Sequence, residues 1–515
     1  MLTIAPRSDV TYLAKQVARG AEHYHLRDAA IAGEPPGHWL GRGAPDLGLY
    51  GTVDHAVLEN LYHDFVDPRR RDELAAAIAD ITDPLGTDAW TAAADAARDT
   101  VRLGPRPRDY TTGTRAAIAE ALAAEPDATP ARRRQIEARV RGKARTAVKY
   151  LDLTWSAPKS WSILHAALQL AGRDTDADRV WEAWLTGVRT GLEYLQDNAG
   201  FARAGRHGRT STGASTGRWV GAHRWTVAAF PQHTSRDDDP QLHVHTAVLN
   251  RVHADDGAWR TLDSRGIHRH KQAAGHLCER AAEITLTHVL GVEFATRPDR
   301  RAREIVGIPE SLRARFSSRR RAIAAEVTVY AAKFTAAYGR EPSAYELTAI
   351  AQHITLLRRE DKKRVPLPRT ELLTRWAEAA HRDPGVALTD IPAATLHRIG
   401  PEDAEHPDRA AIVARATTTL DAVKDAWTRP DLVAELCRRL PDRLATRNVR
   451  HLVDDLADQA LVGVVRSDPV SSGPRGGYIV EAASLRMRHS IGGDHESASI
   501  VGRLAPAPRV VAAVE

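Results

Sequence analysis

The sequence predicts an α+β protein: an antiparallel sheet flanked by helices, followed by a mainly helical region. Three observations carry this. Residues 148–156, VKYLDLTWS, alternate β-branched, leucine and aromatic residues with polar ones, the period-two pattern of a half-buried strand. Two further strands, near 222–231 and 241–252, flank the polar turn TSRDDDP and read as a β-hairpin. Helical periodicity marks much of the remainder and dominates from about residue 320 onward.

Taken in order, residues 1–65 are mixed, with a short helical stretch around Val10–Ala18 and a Gly/Pro-rich segment at 33–51. Residues 70–145 read as Ala-rich helices with Arg-rich connections, RRR standing at 69–71 and again at 132–134. Such clusters are most often a solvated face, with phosphate contact as the alternative. After the strand at 148–156, Ser156 reads as an N-cap and Pro158 as a first-turn residue of a helix over 158–170. A helix over about 175–197 places Val180, Trp184, Val188 and Leu192 on one face. FARAGRHGRTSTGASTG at 201–217 reads as a flexible loop, and 271–290 as another helix. Ser343 and Glu346 have the spacing of a capping box. Near the end come two amphipathic helices, DLVAELCRRL and VRHLVDDLADQALV, then GVVRSDPV, a turn at SSGPRGG, and YIVEAA. A winged-helix-like module and a small helical module with an appended hairpin fit this order equally. The expected divisions are 1–325, a helical region at 326–425, this module at 426–485, and a weakly patterned tail at 486–515. No fixed-period repeat occurs.

Bulk properties agree. With 515 residues the chain has room for about three domains. Its 43 % apolar and 27 % charged residues exclude wholesale disorder. A net charge of +6 and a pI near 9.3 favour an anionic partner, weakly. The two cysteines, Cys278 and Cys437, make no disulfide framework, so a reducing cytoplasm is the expected home. The opening residues lack the apolar core of a signal peptide, and no run of eighteen apolar residues suggests a membrane span.

The strongest chemical signal is His243-Val-His245. On a strand, positions i and i+2 share a face, so both imidazoles project together, as a divalent metal needs from two ligands on one rigid element. His233 ends the preceding strand, and antiparallel pairing brings that end near His243, offering a third imidazole. Asp152, a carboxylate amid apolar neighbours, requires a partner. It can take the N–H of a metal-bound histidine or a proton from a hydroxyl nucleophile. Lys159, in the first turn of the next helix, can hold a phosphate.

DLTWSAPKS, then TSRDDDPQLHVHTAVLNRV and DGAWRTLD, in that order after YLAKQVARGAEHYH…GEPPGHWLGRGAPDLGL, resemble the MobF (TrwC-type) conjugative relaxases over roughly residues 1–325. The resemblance implies an HUH endonuclease fold. It also implies a tyrosine that attacks the scissile phosphodiester at a plasmid or integrative-element origin of transfer, becomes linked to the 5′ phosphate, and later rejoins the strand. Position by position it assigns Tyr12 as the nucleophile, Tyr24 as a second catalytic tyrosine, Asp152 as the family aspartate, His243 and His245 as metal ligands, and Arg236 as a DNA contact. It implies a divalent ion, Mg²⁺ or Mn²⁺ with Zn²⁺ as the alternative. The implied partners are single-stranded or hairpin origin DNA, accessory origin-binding proteins, a coupling protein and a separately encoded helicase.

The sequence departs from the family at three places. Thr11-Tyr12 and Tyr24-His25 each hold one tyrosine where relatives often have two. The family pattern F-x-H-x-T-S-R reads Phe230-Pro231-Gln232-His233-Thr234-Ser235-Arg236, so its histidine position holds Gln232. His233 is the expected third ligand, re-aimed by a bulge that Pro231 induces; the alternatives are that the Gln232 amide oxygen ligates, or that the site has two histidines and binds weakly. Finally, no G-x-x-x-x-G-K-[ST] loop of a helicase occurs: Gly142-Lys143 is followed by Ala144. Three other readings stand beside the leading one. They are a DNA-binding remnant that cleaves poorly, a rolling-circle initiator using Tyr330, Tyr338 or Tyr345, and a phosphohydrolase in which water attacks.

Overall fold

The structure, a computed structural model, describes residues 1–9, 34–81, 87–205, 217–235, 237–299, 302–357, 367–400, 403–424, 426–444, 446, 448–461, 466–467 and 477–481. Tyr12, Tyr24 and Arg236, the stretch Val10–Ala18 and the tail at 486–515 lie outside the described residues.

The first seven strands are Leu2–Arg7 (β1), His38–Leu40 (β2), Tyr150–Ser156 (β3), Phe201–Ala204 (β4), Arg218–Gly221 (β5), Val227–Thr234 (β6) and Pro240–Leu249 (β7). Five of them form one sheet in the order β1-β3-β7-β6-β2, every pair antiparallel. The expected hairpin is β6–β7. The stretch read as a loop at 201–217 instead begins and leads into a two-stranded ribbon, β4 with β5. Its strands are too short to show period-two alternation.

Helices surround the sheet. Before β3 come His55–Asp64 (α1), Arg71–Ala79 (α2), Thr87–Thr100 (α3), Thr111–Ala123 (α4) and Pro130–Lys143 (α5). After it come Lys159–Leu170 (α6), Asp174–Ala199 (α7) and Ser264–Leu290 (α8), the last starting earlier than expected. Pro158, not Ser156, stands at the N-cap of α6, and Ser156 remains in β3 with its N–H bonded to Met1 O at 2.9 Å. Farther on lie Glu310–Arg315 (α9), Ser318–Tyr338 (α10), Ala344–Leu357 (α11), Arg369–Arg382 (α12), Ile391–Thr395 (α13), Arg409–Val423 (α14), Arg429–Arg439 (α15) and Val449–Ala460 (α16). The capping box at α11 is present: Ser343 N donates to Glu346 Oε2 at 2.8 Å, and Glu346 N to Ser343 Oγ at 3.3 Å.

The sheet has two apolar faces. On one, Leu153, Trp155 and Val244 pack under α6, α7 and α8. Val180, Trp184, Val188 and Leu192 of α7 are all buried there. Helix α7 lies this close because Gly191 has no side chain: a Cβ there would meet the Trp155 ring at 2.6 Å. On the other face, Trp39, Leu61, Tyr62, Tyr150, Phe230 and Ala247 form a smaller core under α1. Its centre is Tyr62, whose hydroxyl donates to Ala247 O at 2.6 Å and accepts from Ala228 N at 3.1 Å.

The boundary expected at residue 325 falls inside α10. The larger core runs on through Leu372 and Trp376 of α12, Leu432 and Leu436 of α15, and Leu456 of α16. The C-terminal module begins before the expected residue 426, because α14 packs on α15 and α16. Its elements follow as helix, strand, helix, helix, strand, strand, and the strands Ala426–Thr428, Gly477–Glu481 and Arg466–Ser467 lie side by side in that order. On α16, Arg450 binds Asp197 of α7, so this helix is docked on the body.

Candidate metal centre and active site

The site is built on the face of the sheet that carries the smaller core, beyond the place where that apolar cover ends. In β7, His243 and His245 alternate with buried Leu242 and Val244. Their rings are 5.2 Å apart at 71°. Antiparallel partners share a face. The partner of His245 on β3 is Thr154 and that of His243 is Ser156, which puts Asp152 on the same face one pair farther along.

Each imidazole is oriented through Nδ1. His245 Nδ1 lies 2.9 Å from Asp152 Oδ1 and 3.1 Å from the Thr154 hydroxyl. His243 Nδ1 lies 3.0 Å from Gln241 O. Both neighbours are acceptors, so the hydrogen-bond network assigns the proton to Nδ1 and directs the Nε2 lone pair outward, the form in which histidine binds metal. Asp152 is only 2 % exposed. Burial pushes its carboxyl up, but the hydrogen bond and charge of His245, then the charge of Arg7 and the Thr154 hydroxyl, outweigh this and hold it below its usual range. Its second oxygen faces the Arg7 guanidinium at 3.6 Å. Asp152 is therefore an anion whose place is behind His245.

The third position is Gln232, directly across the β6–β7 ladder from His243. The expected assignment of His233 does not hold in this arrangement. His233 points to the opposite face, where its Nε2 accepts from Trp181 Nε1 at 2.7 Å and its Nδ1 lies 2.7 Å from Glu34 Oε2. His165 stacks on it with ring centroids 5.1 Å apart. Both ring nitrogens are engaged in the interior. A bulge does occur, but in the other strand. Gln232 pairs with His243 and Thr234 with Pro240, so Gln241 and Leu242 together oppose His233, while Pro231 keeps a regular pairing with Val244. The bulge in β7 leaves the facing of β6 untouched.

That bulge has a use. It presents the Gln241 carbonyl to His243, and α6 holds it. Lys159 Nζ donates to Pro240 O at 2.7 Å and Gln241 Oε1 at 2.8 Å, and Ser162 Oγ accepts from Leu242 N at 2.9 Å. Lys159, expected at a phosphate, is a brace beneath the histidines. Burial lowers its amine to about 8, against the opposing charges of Asp239 and Glu304. The helical region grips the same turn: Trp376 Nε1 donates to Asp238 O at 2.7 Å, and Asp239 Oδ2 accepts from Ser318 N at 2.9 Å.

Sequence reasoning thus brought His243, His245 and Asp152 together, and missed Arg7, Thr154, Ser162 and the Gln241 carbonyl. Thr154 was within reach of it, being two residues from Asp152 on a strand. The donor set suits a divalent ion: two anchored imidazoles and an amide opposite them. Among the described residues no group of three or more His, Cys, Asp or Glu side chains is arranged to hold a metal, and the polar side chain across the ladder from His243 is the Gln232 amide.

A sequence profile of the family described as TrwC relaxase matches residues 6–382, ending on the last residue of α12. The chain belongs to the TrwC relaxase family. The matched stretch begins at Pro6, near the end of β1, includes Asp152, both site histidines and the two tyrosine positions, and runs past the boundary expected at 325. Over 300 residues the chain is 26 % identical to the multifunctional conjugation protein TraI of Escherichia coli strain K12, which is 56 % of this relaxase and 15 % of that protein. A second Escherichia coli TraI is 27 % identical over 298 residues, with the same shares. The chain therefore matches a small part of the length of these relatives. Among solved structures it is similar to the conjugative relaxase TrwC in complex with oriT DNA. The metal-bound form is 21 % identical at a TM-score of 0.43 and the copper-bound form 22 % at 0.43, each match covering 74 % of this chain and 98 % of the other. Among the described residues no helix is long and apolar enough to cross a membrane. Cys278 and Cys437 are buried and free.

Proposed function

We propose that this relaxase nicks one DNA strand at an origin of transfer and later reseals it, with Tyr12 as the nucleophile and Tyr24 as a second one. The observation that carries the reading is the pair His243 and His245, each fixed through Nδ1, with anionic Asp152 behind the second and Gln232 opposite the first. Family membership supplies the reaction class. The names of the similar proteins supply the rest: conjugation for TraI, and oriT DNA with a bound metal for TrwC.

In this reading the phenolic oxygen of Tyr12 attacks the scissile phosphorus and gives up its proton. The bond to the 3′ oxygen breaks, and that oxygen leaves as a 3′ hydroxyl after taking up a proton. A phosphotyrosyl bond to the 5′ phosphate replaces the phosphodiester, so resealing needs no outside energy. A phenol with a pKa of about 10 is a poor nucleophile at neutral pH, so charge compensation at the phosphate matters. His243, His245 and Gln232 would hold a divalent ion, which when bound polarises a phosphate oxygen and offsets charge in the transition state. We infer Mg²⁺ or Mn²⁺, because an amide oxygen in place of a third imidazole makes the donor set harder. Asp152 fixes the tautomer and direction of His245. Arg236 contacts DNA. The DNA partner is single-stranded or hairpin origin DNA, and accessory origin-binding proteins, a coupling protein and a separate helicase complete the process in the cytoplasm.

The test is mass spectrometry of the protein after incubation with origin oligonucleotides and Mn²⁺. A covalent adduct on Tyr12, lost in Tyr12→Phe, is the expected outcome. Multiple-turnover release of free 5′-phosphate ends without an adduct would mean that water attacks. No adduct with any origin oligonucleotide would leave a DNA-binding remnant.

A further inference from the structure

The arginine cluster at 132–134 takes no part in the site. The stretch 130–145, PARRRQIEARVRGKAR, holds seven basic residues against one acid, Glu137, a net charge of +6. The whole chain, with 72 basic and 66 acidic residues, is also +6, so outside this stretch the signs cancel at 65 each. This one stretch, α5 and the residue two beyond it, carries a net charge equal to that of the whole chain.

This helix is not built for the core. Of its described side chains only Ile136 is buried, and its partner helix α4 buries none. Arg132 pairs with Glu125, and Arg141 with Glu137. Arg134, Arg139, Lys143 and Arg145 are exposed and have no ion pair among the described residues. The other cluster behaves differently: Arg69 binds Asp67, Arg70 binds Glu73, and Arg71 faces Asp72. Like charges at Arg134, Arg139 and Lys143 of this thin helix, with Arg145 just beyond it, repel one another and weaken it. A polyanion would reverse that sign.

We propose that α5 is a docking surface for the sugar–phosphate backbone of double-stranded DNA beside the strand being processed. Its chemistry selects this partner. Residues 111–145 contain no aromatic side chain, so there is nothing on which unstacked bases could lie. A membrane-surface helix needs a broad apolar face, but here Ile136 is already buried and Val140 half-buried. Arginine predominates, six of the seven, which suits forked contact with phosphates. The 14 residues of α5 make a rod about 21 Å long. Arg145 lies seven residues before Asp152, at most about 25 Å along the chain, so one DNA molecule can reach both. The inference rests on the proposed nicking reaction for the source of the DNA, though not for the binding itself.

The probe is a random-sequence duplex of about 30 base pairs, titrated by fluorescence anisotropy across a salt series. In the full chain carrying Arg134→Gln, Arg139→Gln, Lys143→Gln and Arg145→Gln, the slope of log affinity against log salt should fall by about 3 to 4, at about 0.9 per phosphate contact. Affinity near physiological salt should drop at least tenfold, while adduct formation with a short single-stranded oligonucleotide stays within about twofold. The set Arg134→Lys, Arg139→Lys and Arg145→Lys should keep the wild-type slope. If glutamine leaves slope and affinity unchanged, the proposal is overturned. It is also overturned if the wild type ignores the duplex and instead binds phosphatidylserine vesicles through these residues. If duplex binding depends on them while no oligonucleotide forms an adduct, the nicking reaction falls and the docking surface stands.

Discussion

Gln232 lies directly opposite His243, while its neighbour His233 is held in the interior between Trp181 and Glu34. The two adjacent residues serve opposite faces of one strand, and the consequences can be separated experimentally.

Replacing Gln232 by histidine should move the site toward softer ions. Calorimetric titration is expected to show Zn²⁺ or Cu²⁺ affinity rising by at least tenfold relative to Mn²⁺. Gln232→Ala should weaken Mn²⁺ binding. An unchanged affinity in both variants would remove Gln232 from the site.

His233→Ala should leave Mn²⁺ affinity intact and cost stability. The His233–Glu34 hydrogen bond is buried, and leaving the Glu34 carboxylate without this donor costs about 2 kcal/mol. Denaturant titration measures this, and a stable variant that has lost its metal would reverse the assignment.

Asp152→Asn preserves shape but removes the charge behind His245. Metal affinity should fall about 10- to 100-fold, with little change in oligonucleotide binding in the absence of metal. Equal losses in both would point to a general structural defect.

Lys159 gives a pH signature. Burial lowers its folded value to about 8, while the unfolded chain keeps the usual value near 10.5. Between these the unfolded state binds more protons, so stability supplied by this position rises with pH. The wild type should gain on Lys159→Met as pH goes from 8 to 10.5, and below pH 7 the difference should be flat. Parallel stability curves over the whole range would contradict the burial of this amine.

A chain cut after residue 325 should not fold cooperatively. The cut breaks α10 and removes Leu372, Trp376, Leu432, Val433 and Leu436 from the core. At about 2 kcal/mol each this approaches roughly 10 kcal/mol, the entire stability of a typical domain. A chain ending after residue 461 should keep a sharp thermal transition in calorimetry.

The site was legible where it depends on local periodicity. His243-Val-His245 and Asp152 sit on strands whose alternation fixes their facing. The choice between Gln232 and His233 was not legible, because the bulge that breaks the register lies in the opposite strand. Pro231 drew attention to the wrong side of the hairpin. Lys159 was misread because a lysine in a first helical turn is usually solvated, and only the tertiary fold places a bulge carbonyl above it. Trp376 reaches back past the expected division at 325 to Asp238, across 138 residues, a contact no local pattern shows.

The bulge at Gln241–Leu242 also bears on how such genes can change length. The turn before Pro240 is held from outside the hairpin, by Trp376 at the Asp238 carbonyl and by Ser318 at the Asp239 carboxylate, so its length is constrained as well. Between Pro240 and His243 even a single codon matters. One residue fewer would close the bulge without turning the strand over, since His243 would still pair with Gln232, but it would displace the Gln241 carbonyl that orients His243. Descendants of this sequence can therefore change length on neither side of Pro240 without losing a contact that aligns the site.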